Sequence, residues 1–288
     1  MSYNGHFIKG GNVVLNMRRH MTIGDIISFG TGFSSVMTNF LRYLDDEQVE
    51  NFIEQIDEYV DDPSKLYTDF PDFFGQRDTS ARGTIGGIRK RLRPLMDEDK
   101  GLHSSSSTMI EDTFKYLKQG KTVIVDFSLK DSREASIIST ILVRKLFEHN
   151  KREFTSDTDA VIETVIFVEE AQNVLSDELV KSEANPFVRC AKEGRKFGLG
   201  MVAITQRPSA ISEEIRTQAE NFFAFYMGNS DDIKALIKSS IHYDGVVASF
   251  IQTETIIGNL YMVTSDRAFA VPIRVIEFEK LVKDKVYK

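Results

Sequence analysis

Two short apolar runs dominate the second half of the chain, Thr164-Val165-Ile166-Phe167-Val168 and Met201-Val202-Ala203-Ile204-Thr205. Unbroken apolar runs of this length predict parallel strands covered on both faces. The first ends on Glu169-Glu170-Ala171-Gln172 and the second on Gln206-Arg207-Pro208-Ser209. Between them, Asn185 followed by Pro186 supplies an N-cap and a first helical position, for a helix to Glu193 with Gly194 at its C′ site. A third run, Val123–Phe127, precedes a helix from about Ser132 to His149. There Ile137, Ile138, Ile141, Leu142 and Leu146 line one face. Lys151 to Asp159 is a charged loop, and Ser176 to Ala184 reads as a short helix or a loop. A short helix near Ser212 to Ala219 precedes a fourth run, Phe222–Met227, and Asn229-Ser230-Asp231-Asp232 opens a further helix. Leu260–Thr264 and Ala268–Val271 flank Ser265-Asp266-Arg267 as a hairpin, and Pro272 ends its second strand or sets it at an edge. This alternation predicts an α/β fold, with the strands at Val123, Thr164, Gly200 and Phe222 as parallel neighbours in one sheet.

The first half patterns differently. Asn12 to Met17 is apolar enough for a strand, and Ile23 to Phe29 leads into Gly30-Thr31-Gly32-Phe33-Ser34-Ser35. That stretch has the look of a glycine-rich phosphate loop but has no third glycine and no lysine, and a turn capping a helix from Ser34 to Tyr43 is the simpler reading. A helix from Glu47 to Val60 lies within Asp45–Asp62, which carries nine acids and no base and reads as a solvated face. Asp61 to Gly87 is loop-rich. Ile85, Ile88, Leu92 and Leu95 then recur at helical spacing, with Arg89, Lys90, Arg91 and Arg93 on the same helix, either meeting phosphates or neutralising the preceding acids. Ser104–Ser107 breaks the pattern before a helix from Thr108 to Lys118. Residues 1–105 therefore read as a mostly helical subdomain, and 106–288 as an α/β portion ending in the hairpin.

Composition narrows the function classes. The 288 residues suffice for one large α/β domain or two small ones. A net charge of −7 argues against a broadly basic nucleic-acid coat, although a local basic lining remains compatible with it. A single cysteine, Cys190, excludes an intramolecular disulfide, fits a reducing compartment and reads as core packing. No apolar run reaches membrane-spanning length and Met1–Gly11 does not resemble a signal peptide, so a cytoplasmic protein is expected.

Gly120-Lys121-Thr122 copies the tail of a phosphate loop. Lys115 stands where that motif needs its first glycine, and a strand pattern follows where a helix must open. No other segment fits.

Taken in order, Val165-Ile166-Phe167-Val168-Glu169-Glu170-Ala171-Gln172, Glu193-Gly194-Arg195-Lys196-Phe197-Gly198 and Thr205-Gln206-Arg207-Pro208-Ser209 resemble the HerA/FtsK superfamily of ring-shaped DNA-translocating ATPases, the HerA branch most closely. The likeness extends more loosely from about Met109 to Val275. It implies a RecA-like phosphate-loop NTPase core, ATP and Mg²⁺ as cofactors, double-stranded DNA as the track, a hexameric homo-oligomer and a nuclease as partner, with end resection and defence roles both open. By the same resemblance Glu169 is the metal-associated acid, although the family more often has Asp there. Glu170 polarises the attacking water, Gln206 senses the γ-phosphate or holds the water, and Arg195 is an arginine finger toward the next subunit, with Lys196 and Arg207 as lesser candidates. A surface salt bridge is the alternative role for Arg195. In similar proteins the phosphate loop lies upstream of all matched motifs. The chain thus looks like the second half of such a motor, whether excised, split or no longer nucleotide-binding; a non-catalytic ring or interaction module is the rival.

Overall fold

A computed structural model describes residues 13–30, 32–75, 80–156, 160–181, 185–267 and 269–280. Two compact units make up the chain, Met1–Ile162 and Glu163–Lys288. The border read from the sequence, between 105 and 106, falls inside the first unit.

The described residues of the first unit form helices α1 (Met17–His20), α2 (Ile23–Phe29), α3 (Ser35–Tyr43), α4 (Asp46–Asp61), α5 (Ser64–Asp69), α6 (Ala81–Met96), α7 (Met109–Lys118) and α8 (Ser132–Thr155). The core centres on Phe40, whose ring lies 4.9–5.3 Å from those of Phe52, Phe70, Phe73 and Phe74. Fully buried Ile85, Ile88 and Leu92 of α6 join it.

Two strand expectations are corrected here, and Ile23–Phe29, left without a type by its pattern, is settled. Ile23–Phe29 is helical because Thr22 and Asp25 form a reciprocal capping box, satisfying two orphan N–H groups at the start of α2. Near Met17 the chain turns into α1 and contributes only an isolated bridge, Leu15 to His103; Asn12 lies outside the described residues. Among the described residues Val123–Phe127 has no strand partner; it has no regular structure, and Ile124 is exposed. Apolar content alone makes no strand without a hydrogen-bonding neighbour. Gly120 is left-handed at φ 69° just past α7, in keeping with a turn rather than a phosphate cradle. Ser34 accepts the Met37 N–H as N-cap of α3; Thr31 of the glycine pair before it is outside the described residues.

The second unit runs β1 (Thr164–Val168), α9 (Gln172–Leu175), α10 (Asp177–Val180), α11 (Pro186–Glu193), β2 (Leu199–Ala203), α12 (Glu213–Arg216), β3 (Phe222–Ala224), α13 (Ser230–Ser239), α14 (Val246–Thr253), β4 (Asn259–Val263) and β5 (Val271–Arg274). β1 and β2 pair in parallel, Thr164 opposite Leu199 and Val168 opposite Ala203. β3, β4 and β5 make a separate antiparallel sheet in that order. The single four-stranded parallel sheet is therefore not what forms among the described residues: β3 pairs with the hairpin strand β4, whose register sets Phe223 opposite Met262. Pro272 lies in β5, the edge strand, where a missing N–H costs no ladder bond on the open side. Ala268 of the hairpin loop is outside the described residues, as are 182–184 after α10 and 157–159 after α8. The fold is helix-rich with a small parallel pair, compatible with an α/β NTPase.

Candidate functional site

The site is built where β1 and β2 end. The ladder runs past the strands: Ile204 N–H donates to the Val168 carbonyl (2.9 Å), and Ala171 N–H donates to the Ile204 carbonyl (3.0 Å). One residue of β2's continuation thus holds both ends of a two-residue excursion, Glu169-Glu170. Closing that excursion puts Glu170 in the left-handed region, at φ 49°, a conformation no other described non-glycine residue adopts. The left-handed form crowds Cβ against the carbonyl and costs roughly 1 kcal/mol or more. Both acids are exposed.

Both oxygens of the Glu170 carboxylate face amides. Gln172 Nε2 donates to Oε2 at 2.6 Å, and Gln206 Nε2 lies 3.5 Å from Oε1, a long contact. Gln172 Oε1 accepts the Thr205 hydroxyl at 2.6 Å, and Thr205 Oγ1 in turn accepts the Arg207 N–H at 2.9 Å. The Gln206-Arg207 loop is anchored beyond this point. The buried Asp232 carboxylate, near the start of α13, accepts the Ser209 N–H at 3.0 Å, and Ser212 N–H donates to the Leu175 carbonyl at 2.9 Å. Arg216 donates from Nε to the Ile211 carbonyl at 3.0 Å and from its guanidinium to Ser239 Oγ at 2.8 Å. Gln206 and Arg207 remain exposed on a pinned loop.

Arg195 and Lys196 stand on a different loop. Asn185 caps α11 by accepting the Phe187 and Val188 N–H groups. The helix then tightens into a 3₁₀ turn, Gly194–Phe197. Gly194 is not the left-handed cap expected of it; its φ is −55°, and glycine is required because a Cβ would sit 2.7 Å from the Leu199 carbonyl oxygen. Gly198, at φ 71°, supplies the left-handed turn. Buried Gly194 and Phe197 bracket the two cations and drive them outward. Arg195 is 91% exposed and pairs with Glu220 at 3.0 Å, and Lys196 Nζ lies 5.5 Å over the Phe197 ring. Cys190 is buried in α11, and burial pushes its thiol up to about 12, which leaves no thiolate for chemistry near neutrality.

Glu170 and Gln206 therefore meet, with Glu169 adjacent and Arg207 on the same loop as Gln206, while the Arg195 ion pair is to Glu220. Sequence reasoning passed over Gln172, Thr205, Asp232 and Glu220. Gln172 and Thr205 were inside the quoted motifs, but only the closed ladder turns them toward Glu170. Among the described residues no group of three His, Cys, Asp or Glu side chains could hold a metal. Two exposed carboxylates do suit a hard Mg²⁺ that keeps most of its ligands as water and phosphate.

No family model matches the chain. It is 29% identical over 158 residues to the DNA double-strand break repair helicase HerA of Sulfolobus acidocaldarius, covering 52% of this chain and 31% of that protein. It is 28% identical over 158 residues to HerA of Saccharolobus solfataricus (53% and 30%) and 23% identical over 205 residues to a probable helicase of Methanocaldococcus jannaschii (66% and 38%). The chain spans well under half the length of these relatives. A solved structure of the genome packaging NTPase B204 from Sulfolobus turreted icosahedral virus 2 with ATP-gammaS matches at a TM-score of 0.37 and 16% identity, over 59% of this chain and 73% of that one. The sequence is HerA-like, similar to proteins named as helicases.

Proposed function

We propose that this chain carries the water-activating acid, the γ-phosphate sensor and the intersubunit cation of an ATP-driven DNA translocase of the HerA type. The observation that carries the reading is the convergence of the Glu170 carboxylate and the Gln206 amide at the tips of two paired parallel strands. Open α/β sheets place ligands beyond the carboxyl ends of such strands. Glu170 Oε1 orients the attacking water and takes its proton, and Gln206 donates from its amide to the water or the γ-phosphate oxygen. Glu169 would hold Mg²⁺, whose charge would offset that of the phosphates. Arg207, on the pinned loop, is the local cation. Arg195, projected by Gly194 and Phe197, exchanges Glu220 for the nucleotide of the next subunit in a hexameric ring. Double-stranded DNA is the track, and a nuclease is the partner.

The cradle of N–H groups and lysine that gives triphosphate affinity has no counterpart in this sequence, so the chain alone is expected to bind Mg-ATP no tighter than roughly millimolar. Calorimetry on residues 1–288 tests this; a micromolar dissociation constant sinks it and revives Gly30–Ser35 as a phosphate site. With the phosphate loop supplied in the complete protein, Arg195→Ala should leave ATP binding nearly intact and slow hydrolysis by up to roughly three to five orders of magnitude. Mixing Arg195→Ala with Glu170→Gln subunits should restore part of the activity, because some interfaces pair an intact cation with an intact acid. If mixed rings form and stay inactive, Arg195 is a local salt-bridge residue. The Glu220 pair fits the local salt-bridge role for Arg195; the rival reading, a non-catalytic ring module, rests on the missing phosphate loop, and that module would hydrolyse nothing in any mixture.

A further inference from the structure

Glu170 has two carboxylate oxygens, and they are not equivalent. Oε2 takes a 2.6 Å hydrogen bond from Gln172, whereas Oε1 has only the 3.5 Å contact with Gln206. The Gln172 amide cannot be turned over. Its reversal would set Oε1 of Gln172 against Oε2 of Glu170, two acceptors at 2.6 Å, and would take from the Thr205 hydroxyl proton the oxygen that accepts it. Thr205 therefore gives its proton to Gln172, Gln172 gives one of its own to Glu170, and the chain of donors runs one way, from the backbone of the β2 tip to the acid at the β1 tip. A side chain on a strained, exposed turn would otherwise sample several rotamers. Here one oxygen is committed and the other is presented.

We infer that Gln172, oriented by Thr205, is a positioning residue. It fixes the Glu170 rotamer, occupies Oε2, and leaves Oε1 as the oxygen that receives the proton of the attacking water. The inference rests on the reading of Glu170 as the water-activating acid. It predicts coupling between the β1 and β2 tips through side chains rather than through the ladder alone.

Two measurements test it, one of them independent of hydrolysis. In residues 1–288 with ¹⁵N-labelled glutamine, one Gln172 Nε2 proton should resonate downfield of the exposed glutamine amides. Glu170→Ala and Thr205→Val should each abolish that displacement, and Thr205→Ser, which keeps the hydroxyl, should preserve it. A wild-type Gln172 amide indistinguishable from the exposed glutamines overturns the inference. In the complete protein, Gln172→Leu should lower kcat roughly 10- to 100-fold, the usual cost of removing a group that orients a reactive one, with KM for ATP little changed. Thr205→Val should act in the same sense, Thr205→Ser should not, and the double variant Gln172→Leu/Thr205→Val should be no slower than Gln172→Leu alone, since both remove one constraint. Losses that multiply, or a raised KM at constant kcat, overturn it. If the wild type shows no hydrolysis sensitive to Glu170→Gln, the proposed function fails and the amide resonance alone decides whether Gln172 holds the acid.

Discussion

At the scale of single residues, the chain spends backbone strain where the candidate chemistry lies. Glu170 is left-handed because Ile204 pins both ends of its turn, and its carboxylate meets the Gln172 and Gln206 amides rather than its own backbone. Asparagine tolerates the left-handed region far better. Glu170→Asn should therefore raise the stability of the chain by several tenths of a kcal/mol, measured by thermal or urea unfolding, while removing the acid proposed to activate water. A loss of stability would show that the strain is not borne at this residue. His20 makes the opposite kind of statement. Its imidazole is buried, and burial is the largest cause of its pKa falling from 6.5 to about 4, reinforced by Lys145, Arg19 and Arg144 and opposed by Glu111. The folded pKa lies below the unfolded one, so the unfolded chain binds more protons between them. The stability contributed by neutral His20 is complete above pH 6.5 and drains as pH falls toward 4. Replacing His20 with Gln should flatten the acid limb of a stability-versus-pH curve in that window.

At the scale of elements, caps and buried pairs hold the helices in place. The Asp25 carboxylate does two jobs at once. It accepts the Thr22 N–H at 2.8 Å to cap α2, and it accepts Arg144 Nη2 of α8 at 2.6 Å with both side chains under a tenth exposed. Arg144 also donates to the His20 carbonyl at 2.7 Å and reaches Glu148 at 3.2 Å. Removing one member of a buried pair leaves the other charge desolvated, at a cost of about 3–5 kcal/mol. Asp25→Ala should lower stability by that order, lost cap included. Asp25→Ala/Arg144→Met should recover a good part of the loss by leaving no buried charge. A double variant as unstable as the single one would show that the cap, not the pair, carries the effect. In the second unit the corresponding device is Asp232, which ties the Gln206 loop to α13 through Ser209. Its loss should loosen the loop without unfolding α13, because the N-cap Asn229 accepts the Asp231 and Asp232 N–H groups independently.

At the scale of the whole molecule, the two units differ in how completely each covers its own apolar surface. The first has a continuous core from Leu15 to Ile141, with Phe40, Phe52, Phe70 and Phe74 of its aromatic cluster buried and Phe73 partly so. Expressed alone, residues 1–162 should give a monomer with a helical circular dichroism spectrum and a cooperative unfolding transition. In the second, Val165 and Phe167 of β1 are 57% and 67% exposed on a parallel strand, a setting where both faces are ordinarily covered. A bare apolar strand face favours association. Residues 163–288 alone should self-associate, seen as mass rising with concentration in light scattering. Val165→Thr/Phe167→Thr should suppress it, and an unchanged mass would place the sticky surface elsewhere. No helix among the described residues is long and apolar enough to cross a membrane.

What the sequence determined by itself was local. Runs such as Thr164–Val168 and caps such as Ser34, Asn185 and Asn229 act through backbone geometry within a few residues, and they fall where the pattern put them, whereas the second hairpin strand, expected at Ala268–Val271, runs Val271–Arg274 with Pro272 inside it at the edge. The order of motifs that ties the chain to HerA-type proteins was equally legible. Tertiary structure alone decided the pairings. Phe222–Ala224 is a strand in any reading, but whether it meets a parallel neighbour or the hairpin depends on contacts some forty residues away, between Phe222 and Val263. Val123–Phe127 had the composition of a strand and found no partner among the described residues. The candidate site divides in the same way. Glu170 and Gln206 stood out as polar residues ending apolar runs. Gln172 and Thr205 did not, because their part lies in a hydrogen bond between residues thirty-three positions apart. That bond exists only once Ile204 has closed the turn and fixed which way each side chain points.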